Sequence, residues 1–420
     1  MPRLHHTPIR LAPDASRVVI RPFHLGPAGS ARAARIVEAV MQMDSRTCQA
    51  ELALVNRDFE TRHWQTRSIY LERYRHIKAE LGLNGKLREA QQELIGAYFC
   101  HEYSYAAAAL MNPSVVPHPD QSGLTAGYVR IAMSLRAVGE GHISSIAFRE
   151  GILAPDGRLD LMPEPPFAMA AQMHDPPPAG GPVTAHRHPE ASLSGTVIFP
   201  FTAQQRNGLE DLRLVRFTED NGEVTYYGTY TAYSGSAIAS EMMVTKDFRS
   251  FDLIPISGSA ARNKGMGLFP RRVNGKYAMI GRQDGENLFY MTSDDLLTWE
   301  GGEFFMGPKY PWELVQIGNC GAPIEVDEGW LLLTHGVGAM RKYAIGAVLL
   351  DKDNPQKIIG RLTAPLISPA DEDREGYVPN VVYTCGGMAH GERLFMPYGV
   401  ADSSVAFAGV DIDELIAEMQ

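Results

Sequence analysis

Leu268-Phe269-Pro270-Arg271-Arg272-Val273-Asn274-Gly275-Lys276-Tyr277-Ala278-Met279-Ile280 places an Asn-Gly pair between two apolar runs. That arrangement predicts a β-hairpin, because a two-residue turn matching the twist of its strands needs positive φ at both central positions, which Asn and Gly tolerate. Residues 288–292 continue as a third strand and 294–299 as an acid-containing corner. The same grammar recurs on both sides. Residues 130–135 turn through Gly139-Glu140-Gly141 into 142–148, with Asp156-Gly157 next; 214–217 turn through Glu219-Asp220-Asn221-Gly222 into 224–231, then 237–245 and an Asp247-Phe248 corner. Residues 322–326 turn at Glu328-Gly329 into 330–334, then 343–350 and a corner at 351–355; 381–384 turn near His390-Gly391 into 394–398, then 405–410. Five such units, near the ~40–50-residue spacing of propeller blades, predict an all-β five-bladed β-propeller.

The predicted propeller occupies residues 111–420, and residues 1–110 read as an N-terminal, mostly helical segment. Within that segment, 17–23 is a strand. Apolar residues then recur at helical spacing at Ile36, Val37, Val40 and Met41 and again at Tyr70, Leu71, Tyr74 and Ile77. Gly82-Leu83-Asn84-Gly85 breaks the run, and the pattern resumes as helix over 87–110, with His101, Glu102 and Tyr103 as structural or interfacial polar residues. These apolar stripes need a partner surface, either the propeller or a second subunit in a homo-oligomer. A Pro-, Gly- and His-rich stretch between 163 and 188 reads as a loop or linker separating the first unit from the second. Its His174, His186 and His188 match no standard metal spacing, so no metal site is expected.

Composition narrows the function. With 420 residues, 45% hydrophobic and 21% charged, this is ordinary globular composition. A net charge of −10 disfavours nucleic acid as the main partner. No run approaches the roughly 18 apolar residues of a membrane span, and the N-terminus lacks the apolar core of a secretory signal, so a cytoplasmic location is expected. Four scattered cysteines form no zinc or redox pair.

In Asn207-Gly208-Leu209-Glu210-Asp211-Leu212-Arg213-Leu214-Val215-Arg216, a turn delivers two acids and a cation into the start of an apolar strand. Strand alternation puts Asp211 and Arg213 on one face and Glu210 on the other. In a propeller the mouths of the inner strands converge, so equivalent polar residues of each unit meet. The first unit offers Asn112, Ser114 and Arg136, the second Asp211 and Arg213, the third Asn263, Lys264 and Arg282, the fourth His335, and the fifth Asn380 and Asp402. Inverting glycoside hydrolysis needs an acid and a second carboxylate that activates water. Phosphate arrives already ionised and needs cations to hold it instead, so one acid among several cations suits phosphorolysis better. Each residue also has a plainer reading: a surface lysine for Lys264, a satisfied core histidine for His335, a turn carboxylate for Asp402.

Five ordered motifs, Gly208-Leu209-Glu210-Asp211-Leu212-Arg213, Lys264-Gly265-Met266-Gly267-Leu268-Phe269-Pro270, Gly329-Trp330-Leu331-Leu332-Leu333-Thr334-His335-Gly336-Val337, Gly376-Tyr377-Val378-Pro379-Asn380-Val381-Val382 and Tyr398-Gly399-Val400-Ala401-Asp402, resemble glycoside hydrolase family 130, the β-mannoside phosphorylases and related mannosidases. The resemblance runs from about Asn112 to the C-terminus. It implies a five-bladed propeller and an inverting attack on a β-mannoside, giving mannose 1-phosphate when inorganic phosphate is the co-substrate, with no other cofactor. Asp211 then takes the place of the general acid, acting through the mannose 3-hydroxyl. Arg136, Lys264 and Arg282 would bind phosphate, and Asn112, Ser114, Arg213, Asn263, His335 and Asp402 the oligosaccharide.

The chain departs from the family pattern at three places. Leu212 replaces a proline, Gly281 stands where phosphorylases have a phosphate-binding histidine, and Gln316 stands where lysine is common; Arg282, Arg262 or Arg341 are the available substitutes. A β-mannosidase is therefore an alternative, with its base at Glu375, Glu325 or Glu286. A non-catalytic carbohydrate-binding propeller is a third reading.

Overall fold

The Asn274-Gly275 pair makes the turn its sequence predicts: φ is 51° and 78°, and Val273 and Lys276 bridge across it. The computed structural model describes residues 2–25, 29–173 and 181–420, which are mostly β with five helices. The hairpin belongs to a four-stranded antiparallel sheet of Gly267–Leu268, Tyr277–Gly281, Leu288–Ser293 and Glu303–Met306. A five-stranded sheet follows, in which Gln316–Asn319, Gly329–Val337, Tyr343–Leu350 and Ile358–Arg361 lie in order. In the last sheet Val382–Tyr383, Arg393–Val400 and Ser404–Asp411 are edged by the N-terminal strand His5–His6, whose His5 pairs with Gly409. The two ends of the chain are thus hydrogen-bonded together.

The first and second units are not held apart by a linker, contrary to the sequence expectation. They share an eleven-stranded sheet running from Ala109–Pro117 through Val129–Val138, Ser144–Leu153, Gly208–Thr218, Val224–Tyr233, Ile238–Thr245 and Ser250–Pro255 to Val183–His186. The join is one parallel pair, Gly208 with Ser144. A Cβ on Gly208 would lie 2.8 Å from the Ser144 Cβ, so glycine permits the approach. The stretch read as linker is partly strand, because the edge of Ser250–Pro255 is otherwise unpaired and Val183–His186 covers it.

Each unit buries one face against the next. Phe148 packs with Phe248 and Phe251 between the first and second units, and Phe217 with Met279 and Trp299 between the second and third. Phe269 packs with Trp330 between the third and fourth, and Leu333 and Ile345 with Met396 and Val410 between the fourth and fifth. Phe395, Val405 and Phe407 of the fifth then pack on Val115, Ile131 and Met133 of the first. Apolar burial of this kind is worth about 25 cal/mol per Å².

Helices α1 (Gly29–Gln42), α2 (Ser45–Phe59), α3 (Thr66–Glu80) and α4 (Glu89–Tyr98) bury Val37, Val40, Tyr74, Ile77, Leu94 and Ile95 among themselves. A fifth, α5 (Ile412–Ala417), ends the chain. The sequence predicts helix as far as residue 110, but α4 stops at Tyr98. Cys100–Ser104 is a strand paired with Val18–Pro22, so His101, Glu102 and Tyr103 alternate across a ribbon. Pairing outweighs helix propensity here, because the backbone of Val18–Pro22 needs a partner. No helix is long and apolar enough to cross a membrane among the described residues.

Candidate active site

Two β-bulges build the site. In the Ala109–Pro117 strand the register slips between Met111 and Ser114, and in Gly208–Thr218 between Glu210 and Arg213. The extra residues take left-handed backbone, φ 49° at Asn112 and 58° at Asp211. Each bulge re-aims a polar side chain, and the two meet: the Asn112 amide donates to Asp211 Oδ1 at 2.7 Å. Asn263 (φ 63°), Asn380 (62°) and Asp402 (46°) are left-handed too. Non-glycine residues in this region cost of order 1–3 kcal/mol each and concentrate at functional sites.

The bulge overturns the expectation that Glu210 and Asp211 serve opposite faces. Strand alternation fails where a residue is inserted, and both carboxylates meet Arg136. The guanidinium donates to Glu210 Oε1 at 2.6 Å, to Asp211 Oδ1 at 3.1 Å and to Ser144 Oγ at 2.9 Å. Lys264 Nζ closes the chain of charges, 2.8 Å from Glu210 Oε2. Glu210, only 6% exposed, therefore bridges two cations. Its position beside Asp211 was the available signal for a role that the alternation argument discarded. Both hydrogen bonds to Asp211 end on Oδ1, which leaves Oδ2 as the oxygen available to a ligand.

The other expected residues divide into rim and support. Ser114 is fully buried and its Oγ accepts from the Leu214 N–H at 3.0 Å, tying the two bulged strands together. Arg213 is also buried; it donates to the Asp211 carbonyl (2.9 Å) and the Tyr383 hydroxyl (2.7 Å), so it braces the bulge from beneath. His335 Nε2 accepts from Arg282 Nη1 at 3.1 Å, and the ring lies 4.8 Å from Tyr383. Asn263 receives the Lys264 N–H on its own Oδ1 at 2.9 Å, which positions the lysine. Tyr383 and Ser144 carry no motif that marks them in sequence. Among alternative bases, Glu325 is held bidentately by Arg271 (2.9 and 2.8 Å), whereas Glu375 and Glu286 are exposed.

Electrostatics separates the carboxylates. Burial works against ionising Asp211, but Arg136, Arg213, Lys264 and the Asn112 hydrogen bond outweigh it and hold the group well below the usual carboxylate range. Asp402 goes the other way: burial, then the Asp211 charge, push it up to about 6 against the pull of Arg136 and Arg341. Burial, then Arg282 and Arg213, keep His335 far below the ordinary histidine value and hence neutral. Five cations, Arg136, Arg213, Lys264, Arg282 and Arg341, stand against three carboxylates, Glu210, Asp211 and Asp402. Such an excess suits a bound anion.

No group of three or more His, Cys, Asp or Glu suited to a metal occurs among the described residues. His174 lies outside them, and His188 sits against the Trp64 ring at 5.5 Å.

Residues 186–420 match a family model described as beta-1,4-mannooligosaccharide phosphorylase. The beta-1,2-mannobiose phosphorylase of Listeria innocua is 30% identical over 232 residues, 53% of this chain and 63% of that protein, so less than two thirds of its length is spanned. The 1,2-beta-oligomannan phosphorylase of a Thermoanaerobacter species is 32% identical over 220 residues, 51% of this chain and 72% of that protein. In three dimensions, the solved complex of Listeria innocua beta-1,2-mannobiose phosphorylase with beta-1,2-mannobiose covers 74% of this chain and 92% of its own, with a TM-score of 0.53 at 22% identity.

Proposed function

The chain belongs to glycoside hydrolase family 130, and from that premise we propose that it is an inverting β-mannoside phosphorylase whose co-substrate is inorganic phosphate. The observation that carries this reading is the Arg136–Glu210–Lys264 ion-pair chain beside Asp211, with more cations than carboxylates. The five units, each packed on the next and the fifth on the first, are the blades of a five-bladed propeller. Residues 111–420, edged by the N-terminal strand His5–His6, form the catalytic domain, and the helices within 1–110 an appended part. Free cysteines at all four positions favour a reducing, cytoplasmic setting. Exposed Met41, Leu54 and Tyr98 on the helices favour self-association.

In this mechanism Arg136, Lys264 and Arg282 hold phosphate, while Asn112, Asn263, His335 and Asp402 meet the sugar hydroxyls. Ser114 and Arg213 support the bulges rather than touch substrate. Asp211 protonates the departing oxygen by way of a sugar hydroxyl on Oδ2. It is ionised in the empty site because cations surround it, and phosphate works against that. A phosphate charge about 6 Å away interacts with the carboxylate by roughly 3 kcal/mol at an effective dielectric constant of 20, or about 2 pK units. Binding the nucleophile thus moves Asp211 back toward the ordinary carboxylate range, and the proton it passes on comes from the sugar hydroxyl it contacts. Hydrolysis lacks support from the expected bases, since Glu325 is locked to Arg271 and neither Glu375 nor Glu286 pairs with the cation cluster.

A crystal grown with phosphate tests the reading. A tetrahedral anion is expected between Arg136, Lys264 and Arg282, and density for one elsewhere, with this position empty at saturating phosphate, would refute it.

A further inference from the structure

A cavity of about 370 Å³ lies between α3 and the Met169–Ala170 strand, and it shares no residue with the cluster around Asp211. Its walls are largely apolar, with Trp64, Ile69, Met169 and Phe199 among them, yet they carry Arg21 and Arg73. The Arg21 guanidinium lies over two rings, 4.1 Å from the Phe199 centroid and 4.9 Å from that of Tyr103, and makes no ion pair among the described residues. Arg73 donates only to neutral carbonyls, of Phe99 at 3.0 Å and Phe23 at 3.5 Å, and the Glu80 carboxylate acts on it only from beyond ion-pair distance. The one carboxylate on the described wall, Glu72, accepts from Gln172 at 2.9 Å. Burial pushes both guanidinium groups below the ordinary arginine range.

Buried cations are ordinarily paired, because an uncompensated charge in a low-dielectric site is costly. One buried guanidinium, Arg73, and one half-buried, Arg21, in a cavity of ligand-binding size with an aromatic and aliphatic lining form a site for something that brings the negative charge with it. We infer that this cavity binds a small organic anion, a phosphate or carboxylate carried on an apolar or aromatic body, at a site separate from the catalytic one. The charged end meets Arg21 and Arg73, and the body lies between Trp64, Ile69 and Phe199. Because the helices supply one wall and the sheets the other, the ligand also fastens the helical segment to the β region.

The test titrates phenyl phosphate, and phenylacetate in parallel, into the full-length protein by calorimetry, with phenol as the neutral control. One saturable site is expected for at least one anion, and whichever binds identifies the head group; phenol should bind at least tenfold more weakly. Arg21→Gln should weaken binding tenfold or more, and Arg21→Lys should restore much of it. Ile69→Trp, which fills the cavity and keeps both cations, should abolish binding while leaving mannoside turnover unchanged. Equal affinity in wild type and Arg21→Gln, no saturable binding of either anion, or loss of binding in Lys264→Ala instead would overturn the inference.

Discussion

Replacing Asp211 with asparagine separates the acid role from a structural one. Both hydrogen bonds to the side chain, from Asn112 at 2.7 Å and Arg136 at 3.1 Å, end on Oδ1. The amide of Asp211→Asn keeps an oxygen there and places its NH2 where Oδ2 was, so the bulge and its contacts persist. What disappears is the ability to carry a proton on that second position. General acid catalysis contributes about 10²–10⁴-fold, which at 1.36 kcal/mol per decade raises the barrier by about 3–5 kcal/mol. The assay is initial-rate phosphorolysis of β-mannobiose, repeated with a dinitrophenyl β-mannoside whose leaving group needs no proton. Loss by that factor on mannobiose, with most of the rate retained on the activated substrate, is expected. An equal loss on both substrates, or nearly full activity on mannobiose, would refute the assignment.

Glu210→Gln should destabilise the protein by about 3 kcal/mol, because a buried carboxylate holding two cations loses its charge; saturating phosphate should recover part of the resulting fall in melting temperature, and a phosphate-insensitive loss would count against the shared cation site. Asp402 gives a pH signature. Its folded pKa, about 6, lies above the ordinary aspartate value of 3.8, so the folded state binds the proton more tightly and this group's contribution to stability declines as pH rises through that window. Asp402→Asn should therefore be more stable than wild type at pH 8, by about 3 kcal/mol, with the advantage gone at pH 4; thermal melts at the two pH values measure it. Asp211, whose folded pKa is depressed, acts in the opposite sense, its stabilisation being lost as pH falls toward the acid range. Gly281→His should lower the KM for phosphate by about tenfold, the worth of one charge-assisted hydrogen bond. The new Cβ would sit 2.7 Å from Met291 Cε, the free end of a flexible side chain that can move aside.

The strands and turns were legible because their signals are local. Asn274-Gly275 needs no distant partner to form its turn, and the alternating apolar residues between such turns mark each strand. The bulges were harder to see, because they arise from pairing between strands. One trace was present: Leu209, Leu212 and Leu214 all enter the same core cluster, and the odd step from 209 to 212 breaks the two-residue period. That break was the sign that Glu210 and Asp211 turn to a common partner. Cys100–Ser104 and Val183–His186 were misread because each is a strand only by virtue of an edge supplied from elsewhere in the chain. Tyr383 and Ser144 reach the site through single hydrogen bonds to Arg213 and Arg136, contacts that no spacing rule encodes.

Phosphate as the nucleophile is the claim on which the rest depends, and a ³¹P NMR time course of the protein with β-mannobiose and inorganic phosphate tests it most directly. Conversion of the phosphate resonance into that of α-mannose 1-phosphate, one mole for each mole of mannoside cleaved, is predicted. Release of mannose with the phosphate resonance unchanged would contradict it.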